Sequence, residues 1–421
     1  MQHRRRDPSA GPLLVEDDGA LLRARGIRYG RAARFAAPQP IAPWSDPLDA
    51  SARGPACPQL PSRLEWVTGP AIEGLALSED CQVLSVTAPS DADGSPVMVW
   101  FHGGAYVSGS GESPQHDADQ LALQGRVAVV RVSYRLGVLG YLSPSGVDNL
   151  GLRDQILALR WVQNNIGAFG GDPDQVTVFG QSAGADSVYS LMLCEETRGL
   201  FLRAIMQSAP LGIRDGRDAM TAAMRTAANA DSASELLDAQ TAAVAEAARF
   251  GLIGRMPFGP IMGLDPLPAA SDGDERLADA ARRIELLVGY TRNDGGPFAA
   301  MDPRIARLKR LGPLGTGVER AAAAALTRRV FAAPARRLAQ AWRRYGGRAA
   351  TFRVDWAPSR MGACHCIELP LLFDAAAWAD APMLGGAPVD ERLAETMRRN
   401  WSGFAHRGVD GLDSPNLRLK A

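Results

Sequence analysis

No apolar stretch in these 421 residues approaches the ~20 residues that a membrane-spanning helix needs. Nor does an apolar run follow the basic start Met1-Gln-His-Arg-Arg-Arg-Asp7, as it would in a secretory signal. The expectation is a soluble, cytoplasmic protein with no membrane partner. An excess of one charge is also missing: Lys+Arg and Asp+Glu both total 46. That balance offers no electrostatic case for nucleic acid. Lysine is nearly absent, occurring only at Lys309 and Lys420, and the arginine-for-lysine bias with abundant alanine suggests a GC-rich bacterial genome. Five cysteines are too few, and odd in number, for a disulfide framework. Cys364-His365-Cys366 lacks the spacing of a zinc knuckle and has no second ligand pair, so no metal is expected. There is no Walker A sequence and no H-E-x-x-H. Gly109-Ser-Gly111 meets Pro114 where a dinucleotide fingerprint needs its third glycine. No organic cofactor is implied.

What is present is an ordinary globular composition, 46% hydrophobic and 22% charged. Residues 1–20 read as a loose polar arm, and residues 25–59 as an irregular segment along the surface. A strand is expected around residues 82–87. Regular alternation starts at Pro96. Val97-Met-Val-Trp-Phe101 is a continuous apolar run, as in a buried parallel strand, and residues 127–134 repeat it. Residues 151–168 form an amphipathic helix with Arg153, Asp154 and Gln155 on its polar side. Further strands are expected at 203–207, 284–289 and 350–356. Helices are expected over 218–249, over 318–345 with a break at Pro334, and over 390–405. The pairs Arg282-Arg283, Arg328-Arg329 and Arg398-Arg399 read as solvated helix faces. Strands alternating with helices predict an α/β architecture with a mostly parallel, doubly wound sheet.

The chemistry centres on Gly180-Gln-Ser-Ala-Gly184. Val176 to Phe179 has strand composition and residues 185–194 read as helix, so this G-x-S-x-G lies in the strand–turn–helix context of a nucleophile elbow. Ser182 then needs a base, and an acid to orient that base. In such sheets the partners follow in the order acid, then histidine. Of the two downstream histidines, His406 ends the closing helix and reads as a solvated surface residue. His365 lies in an irregular segment beyond the strand at 350–356, where a base belongs. Asp294, at the tip of a strand-end loop between the two, is the candidate acid. The backbone N–H groups of Gly103, Gly104 and Ala183 are candidate oxyanion donors, since His102-Gly-Gly-Ala105 forms a strand-end turn without obstructing side chains.

These pieces fall in a collinear series. It includes Arg25-Gly-Ile-Arg-Tyr-Gly30, Phe101-His-Gly-Gly-Ala-Tyr106, Asn149-Leu-Gly-Leu-Arg-Asp-Gln155, Phe169-Gly-Gly-Asp-Pro173, the elbow, Met256-Pro-Phe-Gly-Pro-Ile261, and His365 with Glu368-Leu-Pro370. The series resembles the type-B carboxylesterases, the cholinesterase-like and para-nitrobenzyl esterase-like branch of the α/β-hydrolases. The resemblance implies a single α/β-hydrolase domain over residues 21–421 that hydrolyses small carboxylic esters through an acyl-enzyme. It implies the same roles for Ser182, His365, Asp294, Gly103, Gly104 and Ala183. Hydrolysis of thioesters, carbamates, lactones or amides, or a non-catalytic binding role, are the alternatives. The family usually has Glu at the positions of Gln181 and Asp294; Glu285 and Glu368 are fallback acids. Short segments at 114–149 and 212–256 imply a reduced cap, with a cap-like excursion at about 213–256 and an open entrance. Cys57 and Cys81 match a pair that is bridged in secreted relatives, and here bridge and free thiols both stay open. The oligomeric state is not indicated.

Overall fold

The computed structural model describes residues 2–143, 146–228, 235–308, 310, 312–373 and 376–420. Among them, twelve strands form one sheet. The apolar run at 97–101 shows why. Val97, Val99 and Phe101 enter the core on one face, while Met98 and Trp100 enter the core on the other. A strand buried on both faces has no polar alternation to display.

Strand Ser95–Phe101 lies between Ala128–Val132 and Gly171–Gln181, parallel to both. Parallel pairing continues through Arg203–Gln207, Glu285–Thr291, Ala349–Val354 and Asn416–Leu419. On the opposite side, Val83–Pro89, Leu21–Arg28, Leu13–Asp17 and Gln2–Arg6 extend the sheet in antiparallel fashion. Helices Leu150–Asn165, Ala183–Leu193, Gly273–Arg283 and Ala333–Arg344 cover one face. Asp119–Gly125 and Glu391–Arg407 cover the other. The register aligns the strands' carboxyl ends: Gly180 pairs with Phe101, Gln181 with Gln207, Gln207 with Gly289, and Gly289 with Phe352. Loops at 102–106, 182, 208, 292–294 and 355–368 therefore gather at one edge, where open α/β sheets bind ligands.

Several expectations are corrected. Most of the loose arm at 1–20 is an edge hairpin, Gln2–Arg6 against Leu13–Asp17, fastened by Arg4 to Asp17 at 3.1 Å. Leu13 and Val15 point into the core, an alternation that the surrounding polar residues obscure. On the helix Leu150–Asn165, Asp154 and Gln155 are buried rather than solvated. Asp154 takes a bidentate ion pair from Arg135 at 2.8 Å, and Gln155 donates to Ser187 Oγ at 3.0 Å. Arg398 is likewise buried, donating to Gln124 Oε1 at 2.7 Å and to the Leu371 carbonyl. His406 is half-buried and bonded to the Gly125 carbonyl at 2.9 Å. Pro334 causes no break: a π-helical turn, Thr327–Ala332, joins Pro313–Leu326 to Ala333–Arg344. Proline near the start of the second helix removes an N–H that has little use there. The helix expected over 218–249 appears as Asp218–Ala227 and Leu236–Ala247, and residues 229–234 of that expectation lie outside the described residues. No helix among the described residues is long and apolar enough to cross a membrane.

Candidate active site

Ser182 stands between the strand Gly171–Gln181 and the helix Ala183–Leu193 with φ 55°. A side chain there is strained, and the strain has company. Ala105, Tyr106, Ser208 and Cys366, all on loops at the same sheet edge, also have positive φ. Such outliers persist only where the surroundings over-determine them. The elbow glycines are forced by close approach. A β-carbon on Gly184 would collide with the Phe101 carbonyl oxygen, and one on Gly180 with the Gly184 backbone. Because the first obstacle is backbone of a core strand, Gly184→Ala is expected to lower stability by about 1–3 kcal/mol and to abolish most activity. Urea unfolding, read beside ester turnover, checks this.

His365 and Asp294 meet at that edge, both fully buried. His365 Nδ1 donates to Asp294 Oδ1 at 2.7 Å. The other carboxylate oxygen, Oδ2, accepts from Ser208 Oγ and from the Thr291 N–H, each at 2.9 Å. Three donors thus fix the Asp294 carboxylate. With Nδ1 carrying the proton, Nε2 presents a lone pair, and the Gln181 amide donates to it at 3.1 Å. Ser182 itself makes no side-chain hydrogen bond among the described residues and stays partly exposed, whereas its chain neighbours are buried. Phe298 and Phe331 wall the imidazole, with ring centroids at 5.1 and 5.2 Å. Phe331 reaches it from the π-helical turn.

Glu368, one of the fallback acids, does not hold the imidazole. It is fully buried, Gln207 Nε2 approaches its Oε1 at 3.4 Å, and Oε2 has no partner among the described residues. Burial, then the Asp294 charge, pushes its pKa up to about 7. A raised carboxyl stabilises the fold fully below its ordinary range, and that contribution is lost as pH rises through about 7. The wild type is therefore expected to lose up to about 3 kcal/mol between pH 5 and pH 8 from this group. Glu368→Gln should flatten the decline, as urea midpoints at the two pH values would record. Glu285, the other fallback, lies away from the site, accepting from the Val409 N–H at 2.9 Å.

Gly103 packs against the elbow, where a β-carbon would come within 2.8 Å of Gln181 Oε1 and 3.3 Å of the Ser182 β-carbon. Gly104 has φ 110° and turns over the Ser108 carbonyl. Among the described residues, no protein acceptor takes the N–H of Gly103, Gly104 or Ala183. His102, which opens the turn, is buried with Nδ1 2.8 Å from the Gly103 oxygen; burial holds its pKa down to about 4, so it is neutral and structural. Cys364 and Cys366 flank His365 as buried thiols, raised by burial. Cys57 and Cys81 are buried and unbridged.

Ser182, His365 and Gly104 border a cavity of about 980 Å³. Ile213, Val244, Leu252 and Met256 are among the residues of its apolar wall. Comparison with known proteins fits this site. A profile described as the Carboxylesterase family matches residues 24–311. The chain belongs to the carboxylesterase family. Its fold is the α/β-hydrolase fold, and carboxylic ester hydrolysis by a serine enzyme is the activity that membership carries. The chain is 40% identical to a protein named "Probable N-octanoylanthranilate hydrolase" from Rhodococcus erythropolis, over 91% of this chain and 88% of the relative. It is 34% identical to the para-nitrobenzyl esterase of Bacillus subtilis, over 99% and 92% respectively. Among solved structures, a thermophilic para-nitrobenzyl esterase superposes with a TM-score of 0.83 at 31% identity, covering 100% of this chain and 96% of the other.

Sequence reasoning missed the Gln181–His365 contact and the wall formed by Phe298 and Phe331. Gln181 and His365 are 184 residues apart, and no local pattern could have joined them. A signal did exist for Gln181, since it directly precedes the elbow serine.

Proposed function

We propose that Ser182 is the nucleophile, His365 the general base and Asp294 the group that orients it. The observation that carries this reading is the 2.7 Å bond from His365 Nδ1 to Asp294 Oδ1 beside an elbow serine bordering the same cavity. As substrate enters, the Gln181 amide withdraws from Nε2. Ser182 Oγ attacks the ester carbonyl and its proton passes to Nε2. The oxyanion forms against the free N–H groups of Gly103, Gly104 and Ala183, each such donor lowering the barrier by ~3–4 kcal/mol. The imidazolium returns its proton to the leaving alkoxide, which departs as alcohol. Water then attacks the acyl-enzyme by the same route and releases the acid.

Hydrolysis of 4-nitrophenyl acetate, butyrate and octanoate tests the assignment. The wild type is expected to show a nitrophenol burst that Ser182→Ala and His365→Ala both abolish. Equal slow release from all three proteins would defeat it. The Rhodococcus relative's name describes cleavage of an N-acyl bond, so amide hydrolysis by the same residues is a second reading. Release of anthranilate from N-octanoylanthranilate by the wild type but not by Ser182→Ala decides it.

A further inference from the structure

The lining of the cavity is short of negative charge. Arg63, Arg255, Arg304, Arg307 and Arg329 all border it, and Asp302 is the one carboxylate among its described lining residues. Asp302 is already committed: Oδ2 accepts from Arg255 Nη2 at 2.6 Å, and Oδ1 from the Arg304 backbone N–H at 2.9 Å. Arg63 is half-buried, unlike the arginines of the outer surface. Its Nη2 donates to the Arg255 carbonyl at 2.8 Å, and it has no acidic partner among the described residues. A guanidinium offers five N–H donors, so most of its donor capacity is unspent on protein. That bond to the Arg255 carbonyl holds the fork at the cavity border. Burial, then the Arg255 charge, lowers the Arg63 pKa, as expected of a cation without a counter-ion. A partly desolvated charge is costly unless something pairs with it.

We propose that Arg63 is an anion-binding subsite of the substrate cavity, and that the preferred substrates carry a carboxylate remote from the scissile bond. The proposal rests on the hydrolase reading above and names the substrate class of that same site. The apolar wall takes a hydrocarbon portion and the Arg63 fork takes the carboxylate in a charge-assisted, bidentate contact. Positive charge in the lining also raises the local concentration of anionic substrates. Arg304, Arg307 and Arg329, which have no acidic partners among the described residues, add to that field.

The test uses two matched pairs on the full chain. In one pair the charge is on the leaving group: 4-butanoyloxybenzoate and its neutral benzamide isostere. In the other it is on the acyl group: the 4-nitrophenyl monoester of glutarate and the corresponding primary amide. In at least one pair the wild type is expected to favour the anion about tenfold in kcat/KM, mainly through KM. Arg63→Gln should bring that ratio near one, losing far more on the anion than on its neutral partner; Arg63→Lys should keep part of the preference. No preference in either pair, or an equal loss on anionic and neutral substrates in Arg63→Gln, would overturn the proposal. Calorimetric binding of the same four compounds to Ser182→Ala protein reads the preference without turnover. An enzyme that fails to hydrolyse any ester but still binds the anions more tightly would refute the hydrolase reading and leave the subsite standing.

Discussion

Ser182→Ala is expected to reduce kcat for 4-nitrophenyl butyrate about a million-fold, while circular dichroism and urea stability stay close to wild type. Removing a serine nucleophile costs roughly this much where a triad acts as a unit, and what survives comes from the oxyanion donors and from binding. The side chain lost makes no hydrogen bond in the described structure and is partly exposed, so little stability should go with it. Relief of the strain at φ 55° is not expected, because alanine inherits the same backbone. His365→Ala should give a loss of similar size, and the double variant little more than either alone.

Asp294→Asn is expected to lower kcat about ten-thousand-fold with KM little changed. The surroundings of the carboxylate explain why. Thr291 N–H points at Oδ2 and can only donate, so the asparagine oxygen must take that place. Its amino group then faces His365 Nδ1, where the carboxylate oxygen had accepted at 2.7 Å. The imidazole must turn Nδ1 into an acceptor and move its proton to Nε2. A protonated Nε2 cannot take the Ser182 proton. Asp294→Glu keeps an acceptor-only group and should retain more activity than Asp294→Asn. Measuring kcat for both between pH 6 and 9 checks the argument, since the asparagine variant should recover as hydroxide substitutes for the lost base.

Much of this framework could be read before the fold was known, for physical reasons particular to a few segments. Val97 to Phe101 had to be a buried parallel strand because both of its faces meet a core. Gly180 and Gly184 stand where neighbouring backbone leaves no room for a β-carbon, so the elbow is written in residue type. His365 could be singled out as the candidate base because only two histidines follow Ser182. What stayed hidden depends on contacts between distant segments. The hairpin at Gln2–Arg6 and Leu13–Asp17 buries only alternate residues, and its outward side reads as a polar tail. Asp154 and Arg398 look solvated until Arg135 and Gln124 are found opposite them. The π-helical turn that delivers Phe331 to the imidazole leaves no mark in composition. Arg63 is one arginine among many, and only the cavity and the commitment of Asp302 set it apart.

The central claim is a covalent acyl-enzyme on Ser182. Rapid mixing with 4-nitrophenyl butyrate, acid quench, proteolysis and mass spectrometry of the peptide bearing residues 175–189 test it directly. The account predicts one butanoyl group on Ser182 that accumulates with the nitrophenol burst, decays at the rate of steady-state turnover, and is absent from His365→Ala on the same time scale. Steady turnover with that peptide unmodified, or with the acyl group on another residue, would contradict it.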